Sequence, residues 1–323
     1  MDTQRPASIS VISPVNPAID RVKLMLFQPF DLGRWFVIGF CAWLASLGKG
    51  GGGGGGHGGG RYRGGGPSNI HEDINHARIY FEENISWIIP LVIFGIIVGI
   101  LLWLVFTWLS SRGKFMFLHC VAENKAEVKI PWSKFRGHAN SLFVFRIVLF
   151  LIGFVAIGLP ILLVIGFAVM TAASGAPAVT AIFGGVIIAF VVLVIAIALA
   201  LVSKFTTDFV VPIMLMRTTS CTAAWREFLS VLSANKARFA LYILFQIAIA
   251  VAIGAIILVG FCVGLCLCCV SILLFIPYIN TVVLLPVHVF TRSYSLYYFQ
   301  QFGMQFDVFG LENPQPELVE NPS

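Results

Sequence analysis

Residues 142–202 read LFVFRIVLFLIGFVAIGLPILLVIGFAVMTAASGAPAVTAIFGGVIIAFVVLVIAIALALV, and this stretch decides the fold of the chain. It is built from apolar and small residues, with a single charge at Arg146 near its start. A hydrocarbon core about 30 Å thick needs roughly 20 apolar residues per helix, so the stretch is long enough for two crossings. The segment 171–177, TAASGAP, supplies a Gly and a Pro between the two halves and predicts a turn. We therefore interpret 142–202 as a helical hairpin in a bilayer.

The composition of the whole chain supports the membrane class. Apolar residues make up 58% of the 323 residues and charged residues only 11%, whereas soluble domains carry roughly 25% charge. The seven cysteines lie almost entirely in or beside apolar segments, which argues against a secreted disulfide scaffold. A soluble fold is therefore excluded. The formal net charge of +6 is modest, and the positions of the Lys and Arg residues are more informative than the total.

Six apolar segments predict an all-α, polytopic bundle of about six transmembrane helices. They are 32–47, 85–109, the two halves of 142–202, and the two halves of 239–290, which divide near 263–266. Residues 18–302 then form one membrane domain. The polar, Pro-containing ends 1–17 and 303–323 are predicted to be disordered, and the glycine-rich segment 48–66 to be a flexible outer loop.

Amphipathic segments are expected on the cytoplasmic membrane surface between and before these spans. Residues 18–28 alternate apolar side chains with Asp20, Arg21 and Lys23, in a run too short and too charged to span. In the second and fourth connections, six residues are predicted to contact the membrane surface: Lys129, Trp132, Lys134, Arg136, Trp225 and Arg226. The expected partners are anionic lipid headgroups and other membrane proteins.

The distribution of Lys and Arg predicts the orientation. The N-terminal segment and the second and fourth connections are basic, whereas the third and fifth connections contain no Lys or Arg. The positive-inside rule then places both termini in the cytoplasm and the protein in the cell (inner) membrane. The first connection disagrees, because it contains Lys49, Arg61, Arg63 and Arg78, but four acidic residues accompany them and the other connections outweigh it.

The second and fourth connections are weakly similar in sequence, which indicates an internal repeat. Residues 131–150 can be aligned with 224–245, which matches Trp132 with Trp225 and Phe135 with Phe228. Two interpretations are open. The chain contains parallel repeats of a surface helix and a hairpin, as some transporters do, or unrelated segments have converged on Trp and basic residues at a membrane face.

Ionisable residues beside the hydrocarbon are candidates for a binding site. The candidates are Arg146, Lys204, Asp208 and His288, with Asn280 as a polar companion. Lys204 and Asp208 are four residues apart, so on one helix they share a face and can form an ion pair. They could form the floor of a cavity that faces the cytoplasm and binds an anionic headgroup or substrate. The alternative is that all these residues lie at helix ends and extend their charged groups into the headgroup region.

Other motifs predict no catalytic, metal or cofactor site. The cluster Cys262, Cys266, Cys268 and Cys269 could bind a soft metal, but its apolar surroundings favour small buried side chains. The sequence HEDINH, 71–76, misses the HExxH zinc pattern by one position. A single RYR within glycines is insufficient to predict nucleic-acid binding. We therefore expect no enzyme activity, no cofactor and no nucleic-acid partner.

Two segments, QPFDLGRWFVIGFCAWL (28–44) and DFVVPIMLMRTTSCTAAWREF (208–228), carry a family resemblance. They resemble a group of uncharacterised six-span bacterial membrane proteins that are related to the membrane domain found beside some glycerophosphodiester phosphodiesterases. The resemblance implies a surface helix before the first span and a cytoplasmic Ala/Trp/Ser helix after the fourth. The phosphodiesterase domain itself has no counterpart in this chain, so its activity is not expected.

The function expected from the sequence is therefore non-enzymatic. The basic amphipathic helices would organise the membrane or bind lipids and partner proteins. The alternative is a small transporter or channel, with a polar path between the helix repeats near Lys204, Asp208, Asn280 and His288. A membrane-embedded enzyme ranks third, because the sequence shows no convergent polar cluster beneath the surface.

Overall fold

The computed structural model of the protein describes residues 9–47, 70–173, 178–266 and 276–311. These residues form helices joined by short turns, and no strand occurs among them, which confirms the predicted all-α class. The predicted glycine-rich loop at 48–66 and the greater part of the predicted C-terminal tail lie outside the described residues.

Eleven α-helices cover most of the described chain. They are α1 (Val15–Leu26), α2 (Leu32–Ser46), α3 (Ile70–Glu123), α4 (Lys129–Lys134), α5 (Arg136–Ala173), α6 (Ala178–Phe205), α7 (Val211–Arg217), α8 (Cys221–Ala234), α9 (Lys236–Cys266), α10 (Pro277–Val283) and α11 (Leu285–Gln300). A π-helical turn, Thr206–Val210, joins α6 to α7, and two 3₁₀ turns, Met304–Phe306 and Phe309–Leu311, follow α11.

Among the described residues, four helical segments are long and apolar enough to cross a membrane: Ser86–Glu123, Arg136–Thr171, Phe183–Arg217 and Lys236–Gly260. The apolar helix α2 is shorter, with 15 residues. These helices identify a membrane protein by length and composition. The predicted count of six crossings goes beyond these four helices and stays a prediction.

The four long helices share a two-part construction. One part of each is an apolar arm whose side chains are largely exposed: residues 87–106 of α3, 148–171 of α5, 183–199 of α6 and 244–260 of α9. At the other end, α1, α2, α7, α8 and α11 pack with the inner ends of the long helices into one compact core. Lipid is the solvent that such arms require, because their exposed surface is hydrocarbon.

Aromatic rings fill the middle of the compact core. Phe209, on the π-helical turn, is fully buried, and its ring centroid lies 5.1–5.3 Å from those of Phe228, Phe239, Tyr242 and Phe299. These rings come from α8, α9 and α11. Because aromatic residues bury the largest apolar area per side chain, this cluster joins segments far apart in sequence.

The helix α3 continues well past the point where the sequence predicted a polar connection. It ends at Glu123, and its last carbonyls are capped by two N-terminal arginines. The guanidinium of Arg21 donates to the Val121 and Ala122 oxygens at 2.8–3.1 Å, and Arg34 Nη2 donates to the Asn124 oxygen at 2.9 Å. Charged donors at the C-terminus of a helix satisfy carbonyls that have no partner within the helix. This capping explains how α3 extends beyond its apolar arm.

Ordered contacts occur on both sides of the predicted domain boundaries at 17 and 303, and the boundaries themselves stay predictions. At the N-terminus, α1 begins at Val15, and the Ser10 backbone exchanges two hydrogen bonds of 2.8 and 2.9 Å with the Gln301 side chain. At the C-terminus, Phe306 and Val308 are buried in the compact core. Apolar contacts therefore order segments whose composition is otherwise polar.

The predicted surface helix at 18–28 is α1, and it packs along α11. Ala18, Met25 and Leu26 are buried in this contact, whereas Ile19 and Leu24 are exposed. One side of the apolar surface of α1 therefore packs inside the protein. The other side is available for a membrane surface.

Candidate functional site

A cavity of about 520 Å³ lies where the arms of α3 and α6 meet the compact core. Its walls come from α2, α3, α5, α6, the π-helical turn and α11. The lining residues are Ala42, Ala45, Ser46, Lys114, Phe117, Arg146, Ala200, Ser203, Lys204, Thr207, Asp208, His288, Thr291 and Arg292. Its volume is in the range of small-molecule sites in proteins.

Positive charge dominates this lining. Lys114, Arg146, Lys204 and Arg292 are cationic, and Asp208 is the one carboxylate among these lining residues. Side chains with a net positive charge next to an apolar membrane segment attract anions, and the low dielectric of the neighbouring hydrocarbon weakens the screening of that attraction. The cavity is therefore suited to a ligand with negative charge.

The ion pair of Lys204 and Asp208 is present, as their spacing predicts. Lys204 Nζ lies 2.7 Å from Asp208 Oδ2. The same carboxylate accepts a hydrogen bond of 3.0 Å from the Tyr242 hydroxyl, and Gln246 Nε2 donates to that hydroxyl at 3.0 Å. Asp208 is thus held by two donors, and its charge compensates Lys204 most directly.

Two further cations converge on Thr207 in the π-helical turn. Lys114 Nζ donates to the Thr207 hydroxyl at 2.9 Å, and Arg292 Nη1 donates to the Thr207 carbonyl. A π-helical turn widens the helix by one residue and is frequent at functional sites. This turn places Thr207 and Asp208 next to each other on the wall of the cavity, so one turn of helix contacts three of the four cations.

Arg292 and Lys114 are the two most buried of these cations. The residue surface of Arg292 is 7% exposed, and its Nη2 atom is buried without a hydrogen-bond partner among the described residues. Burial lowers the pKa of the Arg292 guanidinium to about 10, while the negative charge of Asp208 opposes this shift. The group is still cationic at neutral pH, so a largely buried positive charge forms part of the cavity wall.

Arg146, the single charge of the hairpin 142–202, turns towards α3. Its Nη1 atom lies within 3.2–3.4 Å of the Ser110 hydroxyl, the Ser111 hydroxyl and the Thr107 carbonyl, and donates to all three. These three acceptors orient the Arg146 guanidinium where it lines the cavity.

The structure brings four of the five predicted binding residues together. Arg146, Lys204, Asp208 and His288 line the cavity. Asn280 is not among the lining residues and lies on α10, where its backbone oxygen accepts from the Leu284 amide. Of the four residues predicted to lie near a polar path, Lys204, Asp208 and His288 line the cavity and Asn280 does not.

Two cations of the cavity, Lys114 and Arg292, were not among the binding residues predicted from the sequence. Lys114 was assigned to a polar connection, because the apolar pattern of α3 ends before it. Arg292 sits in the segment TRSYSLYY after the last apolar block. The sequence signal that could have identified Arg292 is its position as a lone cation inside an aromatic helical segment. Such a charge needs a partner or a ligand.

The predicted membrane-surface residues divide into two groups. Lys129, Lys134, Arg136 and Arg226 are exposed, whereas the two tryptophans are partly buried. Trp132 lies 6.1 Å from the Trp108 ring, and Trp225 lies 5.6 Å from the Phe228 ring. The large apolar area of an indole favours protein contact at both positions. Membrane contact through these six residues stays a prediction.

The cysteine cluster and the HEDINH segment lie largely outside the residues that the structure describes. Cys262 is exposed on the α9 arm, and the side chains of Cys266, Cys268 and Cys269 and of the HEDINH segment 71–76 lie outside the described residues. Within the described part of the chain, no group of three His, Cys, Asp or Glu side chains could hold a metal ion.

Comparison with known proteins places the chain in a family without assigning a function. Residues 9–278 match the sequence profile described as "Family of unknown function (DUF7544)". No curated protein and no solved structure matches the chain. The match covers most of the 323 residues, so the chain belongs to this family. No named relative links it to the membrane domains that accompany glycerophosphodiester phosphodiesterases.

Proposed function

We propose that this member of the family is a non-enzymatic membrane protein that binds anionic lipid headgroups at the cytoplasmic side of the cell (inner) membrane. The observation that supports the proposal best is the cavity between the arms and the compact core, where four cations face one carboxylate. The cavity lies at the inner ends of the apolar arms, which is the depth at which headgroups meet a membrane protein. Lys and Arg bind phosphate oxygens by charge-assisted hydrogen bonds.

A six-span topology with both termini in the cytoplasm belongs to this proposal. The four long apolar helices supply four crossings. The 15-residue α2 and the apolar segment that precedes α11 supply the other two, and local thinning of the bilayer accommodates the shorter helix. The basic connections are on the cytoplasmic side, in agreement with the positive-inside rule.

A relationship to the membrane domain found beside some glycerophosphodiester phosphodiesterases is a further part of the proposal. The two segments quoted for the resemblance, 28–44 and 208–228, form most of α2, the end of the π-helical turn, all of α7 and the first part of α8. These elements contribute to the cavity or to the compact core.

Exposed basic side chains give the same face a second, less specific attraction for lipid. Lys129, Lys134 and Arg136 lie at or next to α4, Arg226 lies on α8, and all four are exposed. Each Lys or Arg near an anionic surface contributes about 1 kcal/mol. In this proposal they bring the protein's basic face to anionic lipid or to membrane-protein partners, and the cavity selects the headgroup.

The test separates the cavity from the surface charges. Purified protein in nanodiscs would be compared in phosphatidylglycerol-containing and pure phosphatidylcholine bilayers, with bound lipid counted by native mass spectrometry. The cavity variant Lys114→Gln/Lys204→Gln should lose bound phosphatidylglycerol about tenfold or more, because a hydrogen bond to a charged group contributes about 1.5–3 kcal/mol. The matched control Lys23→Gln/Lys125→Gln removes two exposed lysines and should leave lipid retention unchanged.

Charge reversal of Lys129, Lys134 and Arg136 tests the surface attraction in the same assay. The expected result is weaker binding to anionic vesicles at low salt with the tightly bound lipid retained. If neither this variant nor the cavity variant changed lipid binding, the proposed function would be wrong.

Transport of a small anion is the second candidate. The supporting observation is the position of the cavity, whose cations Lys114, Lys204 and Arg292 come from three different helices, α3, α6 and α11. A path between such units is typical of transporters built from repeats. Uptake of radiolabelled phosphate into proteoliposomes that is lost in Lys114→Gln/Lys204→Gln would favour this candidate over lipid binding.

A further inference from the structure

An apolar groove of about 560 Å³ lies between α6, α8 and α9. It is separate from the cavity described above, because no residue lines both. Two residues of its lining, Ser233 and Lys236, are polar, and the others are apolar. The apolar walls include Leu201, Phe205, Leu229, Leu232, Phe239 and Ile243.

Two aromatic rings connect the groove to the centre of the compact core. The ring centroids of Phe205 and Phe239 lie 6.2 Å apart, and they lie 5.9 and 5.3 Å from the ring of Phe209. Phe239 is fully buried. Because rings in a close-packed core hold their positions, this wall of the groove is preformed.

The groove opens onto the exposed apolar arms. The arm of α6 ends at residue 199, just before Leu201, and the arm of α9 begins at residue 244, directly after Ile243. Leu229, on the α8 wall, is 49% exposed. An apolar surface that continues from the arms requires the same solvent as the arms, which is the hydrocarbon of lipid chains. A lipid beside the arms can therefore extend a chain into the groove.

The groove also contains one positive charge. Lys236, the first residue of α9, is exposed and forms no ion pair or hydrogen bond with any residue that the structure describes. It precedes Ile243 by two helical turns, so about 10 Å along the helix separates the charge from the start of the arm. A lysine in this position can lay its apolar stem along the groove and extend its ammonium group into the headgroup region. An ammonium group at the polar end of a hydrocarbon-lined groove matches the phosphate and the chain of a phospholipid.

We propose that this groove holds one acyl chain of an anionic phospholipid and that the Lys236 ammonium binds the phosphate of the same molecule. The site is additional to the headgroup cavity of the proposed function. Its assignment to the cytoplasmic leaflet rests on the topology given there. In this arrangement α8 lies over the bound lipid, as amphipathic helices do at the boundary between headgroups and chains.

The experiment maps lipid contacts on the full-length protein in bilayers of phosphatidylcholine and phosphatidylglycerol. The probe is a trace of either lipid with a photoactivatable diazirine in the upper part of one acyl chain, and peptide mass spectrometry locates the adducts after illumination. We expect the groove residues of α6, α8 and α9 to be labelled more strongly than exposed residues of the arms. The phosphatidylglycerol probe should label the groove about fivefold more than the phosphatidylcholine probe, which corresponds to about 1 kcal/mol for one lysine beside an anionic group.

Two variants separate the acyl chain from the phosphate. Ala240 lines the groove at an exposed position, so Ala240→Phe should fill the groove without disturbing the core and should remove the groove adducts of both probes. Ala248→Phe, at an exposed position on the arm of the same helix, is the matched control and should leave the adducts unchanged. Lys236→Gln should keep the adducts but remove the preference for phosphatidylglycerol. Lys125→Gln neutralises another exposed lysine and should not change that preference.

Each outcome supports or overturns the proposal. Groove adducts that are lost in Ala240→Phe but not in Ala248→Phe, with a lipid preference that depends on Lys236, support it. Adducts spread evenly over the arms would indicate only the general lipid shell and overturn it. Labelled arms with an unlabelled groove would show that another segment or a partner protein covers the groove, and would also overturn it. A lipid preference that survives Lys236→Gln would overturn the assignment of the phosphate.

The same map distinguishes this site from the cavity. Lys114→Gln/Lys204→Gln should leave the groove adducts unchanged, because neither residue lines the groove. If that variant retained all bound phosphatidylglycerol while Ala240→Phe lost the groove adducts, the cavity proposal would fail and the groove proposal would stand. Loss of the groove adducts in the cavity variant would show that the two sites are not independent and would overturn the groove proposal.

Discussion

The two halves of α3 follow opposite rules of burial. From residue 87 to 106 its side chains are apolar and mostly exposed, as at Trp87, Leu91 and Phe94. Its inner half buries polar side chains: Thr107, Ser110, Ser111, Arg112, Lys114 and His119. One continuous helix therefore exposes apolar residues at one end and buries polar ones at the other.

The difference shows which solvent each half is built for. In lipid, an apolar side chain gains little by leaving the hydrocarbon for a protein contact, so the arms have little reason to pack tightly. A polar group in the same environment needs a partner, because no water is available to it. In α3, Ser110 donates to the Ala45 oxygen at 3.0 Å and His119 Nδ1 lies 3.1 Å from Glu123.

The largest expected contrast is between a core ring and an arm ring. Phe209→Ala should lower the free energy of unfolding by about 3–5 kcal/mol, because the ring is fully buried among aromatic neighbours and its loss leaves a cavity. Phe154→Ala, on the α5 arm where the side chain is 67% exposed, should change it by less than about 1 kcal/mol. Denaturant titration in detergent micelles measures both. Equal losses for the two variants would contradict the two-part construction.

Substitution of Gly113 on α3 tests the contact of α2 with α3, and substitution of Gly99 on the same helix is its control. At Gly113 a Cβ would overlap the backbone of Leu44 and Ala45, so the two helices would have to separate. Gly113→Ala should therefore destabilise the protein by about 1–3 kcal/mol.

Gly99→Ala is the matched control on the arm of the same helix, where no atom lies within 4 Å of the added Cβ. It should be neutral or stabilising by up to about 1 kcal/mol, because alanine is the better helix former. Thermal unfolding in micelles compares the two. If Gly113→Ala were as well tolerated as Gly99→Ala, the close approach of α2 to α3 would be wrong.

The smallest expected effect concerns a single hydroxyl in the inner half of α3. Ser110→Ala removes the hydrogen bond to the Ala45 oxygen and one of the acceptors of Arg146, and should cost about 1 kcal/mol. Ser86→Ala, at an exposed position near the outer end of the arm, should change stability by no more than about 0.5 kcal/mol. The same unfolding titration applies, and a larger loss for Ser86→Ala would reverse the comparison.

Part of the candidate site was predictable from the sequence. Lys204 and Asp208 were found because two opposite charges at helical spacing stand out at the end of an apolar run, and their ion pair is present. Arg146 was found because it is the single charge in a long apolar hairpin. Asn280 met the same criterion of polarity near hydrocarbon, but the cavity does not include it. Polarity at a given depth does not determine which way a helix faces.

The inner end of α3 shows why the rest was not predictable. Its composition resembles that of a solvated connection, so the sequence predicted a polar loop after the span. In the structure, Arg21 caps the helix and Arg112 lies over the Trp132 ring at 4.8 Å. Both partners lie on other helices, Arg21 on α1 and Trp132 on α4. Local composition contains no information about them.

The amino-acid sequence by itself determined that this is an all-α membrane protein, because the free energy of moving an apolar segment into lipid depends almost entirely on that segment's own side chains. It also identified charged residues beside the apolar segments, where a charge needs a partner or a ligand. Only the tertiary structure decided that Lys114, Lys204 and Arg292 meet around one helical turn, since their convergence depends on how α3, α6 and α11 pack. That packing is set by contacts between residues far apart in the chain, with the buried aromatic cluster around Phe209 at its centre.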